Sequence, residues 1–389
     1  MIYNGEMIKD LRKWISPAAI AALAFTAFQA RGDEVTWVGG DVSGPNNWNN
    51  SKNWSPSTEP SPSHTVVFAG SATYQPKVNT KAAAQGVIFR SAGWTVEDSS
   101  DSFVLNVSSG GIHSATTGTN TVKANISIGS ASTQTWEVDS GGTLVIDKRI
   151  ADGTSLTKAG SGTMTLGTSG SFIKGTLIVS EGTLRVNGSV SGTGGVVVQS
   201  GATLEGSGTV SKISGAGTVG PGNSPGILTT GSVDGSLGTD FTFEFTQAAV
   251  SGMSTPIFSN AAASGNDVLR ITDDTPFTTA LNANNVVTVD FTGLTLALGD
   301  VYQGGFYSDK SDFLSSISSA TFNYLGVDEG LQIHLSTIEA SGDFSGGTVN
   351  GYITQFTVIP EPTATALIAL SMGGLWFIAR RMRREKALG

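Results

Sequence analysis

The chain has 389 residues, a formal net charge of −9, 51 glycines and no cysteine. An acidic surface repels phosphate backbones, which disfavours a nucleic-acid partner. The lack of cysteine excludes a disulfide-stapled scaffold, so the fold must be held by a continuous core.

At the N-terminus, Lys9, Arg12 and Lys13 precede an alanine-rich apolar stretch from Ile15 to Phe28, and Ala30 or Gly32 offers a small residue for cleavage. This is the pattern of a secretory signal peptide over residues 1–31, which would export the chain and take no part in the mature fold.

Residues 32–139 are expected to form an N-terminal β cap and the first coils of a larger stack. Trp37, Trp48 and Trp54 stand here among Gly, Asn, Ser and Pro, ahead of the apolar strand Thr65-Val66-Val67-Phe68. Large aromatics bury area efficiently where the end of a stack must be closed. Flat aromatic faces with a polar rim also suit contact with sugar rings, so both uses stay open.

From residue 140 a repeat begins. Gly142-Thr143-Leu144, Gly162-Thr163-Met164, Gly182-Thr183-Leu184 and Ala202-Thr203-Leu204 recur every twenty residues. Each copy continues as a short alternating strand, and a second strand recurs at Thr176–Val179 and Gly195–Val198, twenty apart when Leu177 is aligned with Val197. Two or three strands per period, without a helical pattern, fit one coil of a parallel β-solenoid whose equivalent strands stack about 4.8 Å apart. Leu144, Met164, Leu184 and Leu204 would then form one internal ladder. Ser140-Gly141-Gly142 and Ser200-Gly201 would supply the corners.

Gly175–Val179, Gly182–Gly188, Gly192–Gly194, Ser200–Leu204, Gly206–Val210 and the proline-bounded turn Pro221-Gly222-Asn223-Ser224-Pro225-Gly226 make residues 140–230 similar to the autotransporter-associated β-strand repeat. The resemblance implies a right-handed parallel β-helix that acts as a scaffold and carries no catalytic residues.

Residues 231–358 are expected to be β-rich, with strands at Phe241–Thr246, Val286–Phe291, Thr321–Leu325, Leu331–Leu335 and Tyr352–Val358. They suit either an antiparallel terminal unit or additional irregular coils.

Catalytic chemistry is thin throughout. His64, His113 and His334 lie far apart and lack metal-type spacing, so no metal site or cofactor is expected. Asp98 with Asp101, Asp273-Asp274 and Asp328-Glu329 are acidic pairs of the kind that calcium sites use, and equally of the kind that solvated loops carry. Lys158, Lys174, Glu181, Arg185 and Glu205 are the charges of the coils and form no catalytic constellation.

The tail joins Pro360-Glu361-Pro362, an uncharged run from Thr363 to Ala379 and the cluster Arg380, Arg381, Arg383 and Arg384. Seventeen uncharged residues approach the minimum for a membrane-spanning helix, and the arginines resist translocation and would stay cytoplasmic. In this order, over residues 360–386, the three parts resemble the PEP-CTERM sorting signal of Gram-negative bacteria. The resemblance implies an exosortase-like enzyme as partner, a precursor anchored in the inner membrane, and delivery to the cell surface or extracellular matrix.

Together these readings describe a non-enzymatic, exported structural or adhesive β-helix protein. Polysaccharide or a second copy would be its partner. A carbohydrate-active β-helix enzyme and a glycan-binding protein using the three tryptophans are the alternatives.

Overall fold

The computed structural model describes residues 32–361, apart from 42–45, 72, 129–132, 152–154, 224, 247–256, 260–264 and 345–346. The signal-peptide stretch, the apolar run after Pro362 and the arginine cluster therefore lie outside the described residues. Among the described residues no helix is long and apolar enough to cross a membrane. The protein is all-β, with long parallel sheets compatible with a β-helix or solenoid. It divides into two compact units, one running to Leu204 and including Gly208–Ile213, the other formed by Glu205–Ser207 and the chain from Ser214.

In the first unit the Gly-Thr-Leu copies stack in register. Thr143 pairs with Thr163 and Thr163 with Thr183, and the neighbouring pairs Leu144–Met164 and Met164–Leu184 repeat the same offset. The Thr203 amide continues this ladder by donating to the Gly182 carbonyl at 2.9 Å. Leu144, Met164, Leu184 and Leu204 are fully buried, so the predicted internal ladder forms the core of this face. Burying each such side chain contributes about 1.5–3 kcal/mol.

Three strands make up each repeat: Thr163–Leu166, Ser171–Phe172 and Leu177–Val179 are followed by Thr183–Val186, Ser189–Ser191 and Val196–Val198. Each pairs in parallel with its counterpart in the next copy. Gly141 and Gly201 turn the chain into the first strand with φ of 73° and 82°. At Gly201 nothing stands within 4 Å of where a Cβ would be, so its need for glycine is conformational alone.

The register of the last strand differs from expectation by one residue. Leu177 pairs with Val196 rather than with Val197. Leu177 and Val196 both point inward, and a one-residue slip would send Val196 and Val198 to solvent. Along this face the offsets run Gln134–Leu156, Leu156–Leu177 and Leu177–Val196, or 22, 21 and 19 residues. The corners absorb these changes, and only the Gly-Thr-Leu face keeps a period of twenty.

Parallel stacking begins well before residue 140. Asp33–Trp37 pairs with His64–Phe68, which pairs with Ala82–Phe89, which pairs with Val104–Ser114. Trp54–Ser55 lies antiparallel to Asp33–Trp37.

The second unit keeps parallel stacking but at long, uneven intervals. Phe241 pairs with Val287, and Val287 with Phe322. On another face Val268 pairs with Ile227 and with Gly305. The segments between these strands carry the added length, including a short helix at Leu314–Ile317. A 14-residue strand, Gly347–Pro360, then lies antiparallel to both Val301–Ser308 and Leu331–Phe344. Irregular parallel layers and an antiparallel hairpin are thus both present, where the sequence allowed either. The core is aromatic here: Phe241, Phe243, Phe245, Phe291, Phe306 and Phe356 are all buried, with rings such as Phe243 and Phe306 meeting edge to face at 4.9 Å. Arg270 and Asp309 form a half-buried bidentate ion pair at 2.9 and 2.7 Å.

Candidate functional site

Strand alternation decides which residues the first unit shows to solvent. With Leu144, Met164 and Leu184 inside, their neighbours Thr143, Thr163 and Thr183 point out, and Thr119 precedes them in the same column. A second outward column runs Thr95, Thr121, Val145, Thr165 and Arg185. Beside it lie Lys77, Glu97 and Lys123, stacked with alternating sign. The Lys77–Glu97 pair spans 3.8 Å with both side chains well exposed, so it sets the charge pattern more than it stabilises the fold. The result is a face with one hydroxyl about every 4.8 Å along a column. Each hydroxyl both donates and accepts. Such a face suits a partner that itself repeats.

The three tryptophans are elsewhere. Trp37, Trp48 and Trp54 are 2%, 0% and 1% exposed, packed at ring distances of 4.8 and 4.9 Å and resting on Phe68. Trp54 Nε1 donates to the Trp48 carbonyl and Trp37 Nε1 to the Tyr74 carbonyl, each at 2.7 Å. These rings present no face to a sugar, and their area goes into filling the interior behind the first strands.

Of the tail motif, Pro360 ends the last strand and is exposed, and the Glu361 amide donates to the Gly330 carbonyl at 2.9 Å. Pro362, Arg380, Arg381, Arg383 and Arg384 lie outside the described residues.

The acidic pairs are occupied by turn geometry or lie on exposed loops. Asp98 accepts the amides of Ser100 and Phe103, both at 2.9 Å, and Asp101 pairs with Lys148 at 3.0 Å. Asp273, Asp274, Asp328 and Glu329 are solvent-facing. Among the described residues the one grouping of three side chains with metal-ligand atoms close together is different: His113, Glu137 and Asp139, all within 4.8 Å of one another. His64 sits apart, with Nδ1 3.0 Å from Ser61 Oγ, and His334 is exposed on the hairpin.

Lys158, one of the charges of the coils, is fully buried. Its three N–H donors share the carbonyls of Gly160, Gly162 (2.6 Å), Glu181 (2.9 Å) and Ala159 (3.2 Å), which converge where the corners of two successive repeats meet. Burial lowers its pKa to about 8, against the opposing pull of Glu181 and Glu137. In the second unit Asp267 is buried and accepts the amides of Gly226 and Glu244, both at 2.8 Å. Burial outweighs these bonds and raises it to about 7. Each group is enclosed by backbone, so both serve the fold and lack the access that catalysis needs.

Comparison with family models, with curated proteins and with solved structures returns no match. The class therefore rests on the chain's own geometry: an all-β protein of stacked parallel strands that presents an outward column of threonines.

Proposed function

We propose that the protein is an exported cell-surface or extracellular-matrix component with a structural or adhesive role, whose tail is processed by an exosortase-type enzyme. Its body is a right-handed parallel β-helix closed by an aromatic N-terminal cap, the hand being what the resemblance of residues 140–230 to the autotransporter-associated repeat implies. In this reading the uncharged run of residues 363–379 anchors the precursor in the membrane.

The observation that carries this reading is the column Thr119, Thr143, Thr163 and Thr183, one residue type repeated in register on the outer face. A surface that repeats every strand engages a repeating polymer, or a second copy, through many weak contacts. The position of Pro360 as the last residue of the strand Gly347–Pro360 supports the sorting half, because the motif begins as that strand ends.

The test is the intact mass and location of the chain in its own cells, with residues 360–362 present or deleted. A body cut near residue 362, and found beyond the inner membrane only with the motif intact, supports the proposal. An uncut chain in the inner membrane in both cases overturns the sorting half.

A further inference from the structure

His113 lies on the strand Val104–Ser114 between two inward residues, Ile112 and Ser114, so its imidazole is on the outer side. Glu137 lies on Gln134–Val138 between buried Trp136 and Val138, and the register places it directly beside His113. Asp139 follows two residues later and so shares the side of Glu137. Its backbone is fixed, since its amide donates to the Ser114 carbonyl at 3.1 Å and its carbonyl accepts the Gly142 amide at 2.9 Å. Three potential ligands from two stacked strands thus converge. His113 Nε2 is 3.0 Å from Asp139 Oδ1 and 3.9 Å from Glu137 Oε2, and the side chains are 16%, 46% and 32% exposed respectively.

We propose that His113, Glu137 and Asp139 form a binding site for a divalent transition-metal ion of the zinc class, which clips these two strands together on the outer face. The N···O separations bracket the edge of about 3.4 Å that a tetrahedron with bonds near 2.1 Å requires, so small side-chain rotations complete the geometry. One imidazole and two carboxylates form an N/O/O set suited to zinc, whereas calcium and magnesium favour oxygen alone. Two carboxylates beside one imidazole gather negative charge that a divalent ion offsets at short range. The column on either side of the triad gives no cation of its own: Ile88 precedes His113 and Ala159 follows Glu137. Lys158, an interior cation on which Glu137 acts, is held in place by four carbonyls. Three protein ligands leave a fourth position open to water. A chain without cysteine would gain from such a clip the local cross-link that a disulfide provides elsewhere.

The experiment uses the full chain in mild detergent, stripped with EDTA, and titrated with Co²⁺ by visible absorption and with Zn²⁺ by calorimetry. One Co²⁺ per chain is expected, with d–d bands of a four-coordinate N/O site. Zn²⁺ should raise the melting temperature of the wild type, and His113→Gln and Asp139→Asn should each weaken binding by about tenfold or more. No binding by the wild type, a preference for Ca²⁺ over Zn²⁺, or undiminished affinity in His113→Gln would each overturn the proposal. The last result would place the ion on His64, His334 or scattered carboxylates. If His113→Gln fails to fold, Glu137→Gln carries the same test: weakened Co²⁺ binding supports the site, and unchanged binding overturns it.

Discussion

The two compact units stack parallel strands by different rules. In the first, Thr143, Thr163 and Thr183 follow one another at a constant interval and form one uniform column. In the second, the steps from Phe241 to Val287 and from Val287 to Phe322 are 46 and 35 residues, and buried phenylalanines replace stacked aliphatics. A constant step on that face lets its corners and its buried layer repeat, while the corners beside the other faces take up the changes of spacing. An uneven step needs larger, more adaptable rings to fill layers that do not match, and an antiparallel hairpin to finish the sheet.

The largest expected effects break this contrast in each unit. Leu184→Asp places an unpaired charge in the aliphatic ladder and should cost several kcal/mol. Tryptophan emission during urea unfolding reads it directly, because Trp37, Trp48, Trp54, Trp94 and Trp136 all lie in the first unit. Phe243→Ala should cost about 3–5 kcal/mol in the second unit, read by circular dichroism. An unchanged midpoint for Leu184→Asp would remove the case for a stacked interior.

Smaller effects sharpen the contrast through pH. Asp267 is raised from 3.8 to about 7, so between those values the folded chain holds a proton that the unfolded chain has released. Stability should fall by a few kcal/mol as pH rises from about 4 to 7, and Asp267→Asn should flatten that slope in equilibrium unfolding. Lys158 works in the opposite sense. It is lowered from 10.5 to about 8, so between those values the unfolded chain holds the extra proton and stability should rise with pH by about 2–3 kcal/mol. Lys158→Met should abolish that rise. The smallest effect on the fold belongs to the outer face: Thr143→Val with Thr163→Val should change stability by no more than about 0.5 kcal/mol per site. The same pair should reduce retention on polysaccharide columns or self-association in sedimentation, and unchanged values in both would detach the hydroxyl columns from the proposed role.

The Gly-Thr-Leu ladder was legible because a column of identical residues at constant spacing appears in sequence as a period. The pairing of Leu177 with Val196 was misread by one residue because corners of unequal length shift a strand without altering its composition. Lys158 reads as a surface charge in sequence, since nothing local announces that four carbonyls of two corners will surround its ammonium. His113 and Glu137 are 24 residues apart, the same step that separates Thr119 from Thr143. A search for ligands at coil spacing, in place of helical spacing, would have found them. In the second unit the strand Thr321–Leu325 and the segment Tyr352–Val358 of the last strand were readable by alternation, but their partners were not, because intervals of uneven length leave register undetermined.

The last strand also has a mechanical meaning. Gly347–Pro360 is hydrogen-bonded on both sides, to Val301–Ser308 and to Leu331–Phe344. A pull along the axis of this strand is perpendicular to its inter-strand hydrogen bonds. Those bonds share the load in shear rather than opening one at a time, so the hairpin behaves as a mooring: a body pulled by its tail resists over the full length of two ladders at once.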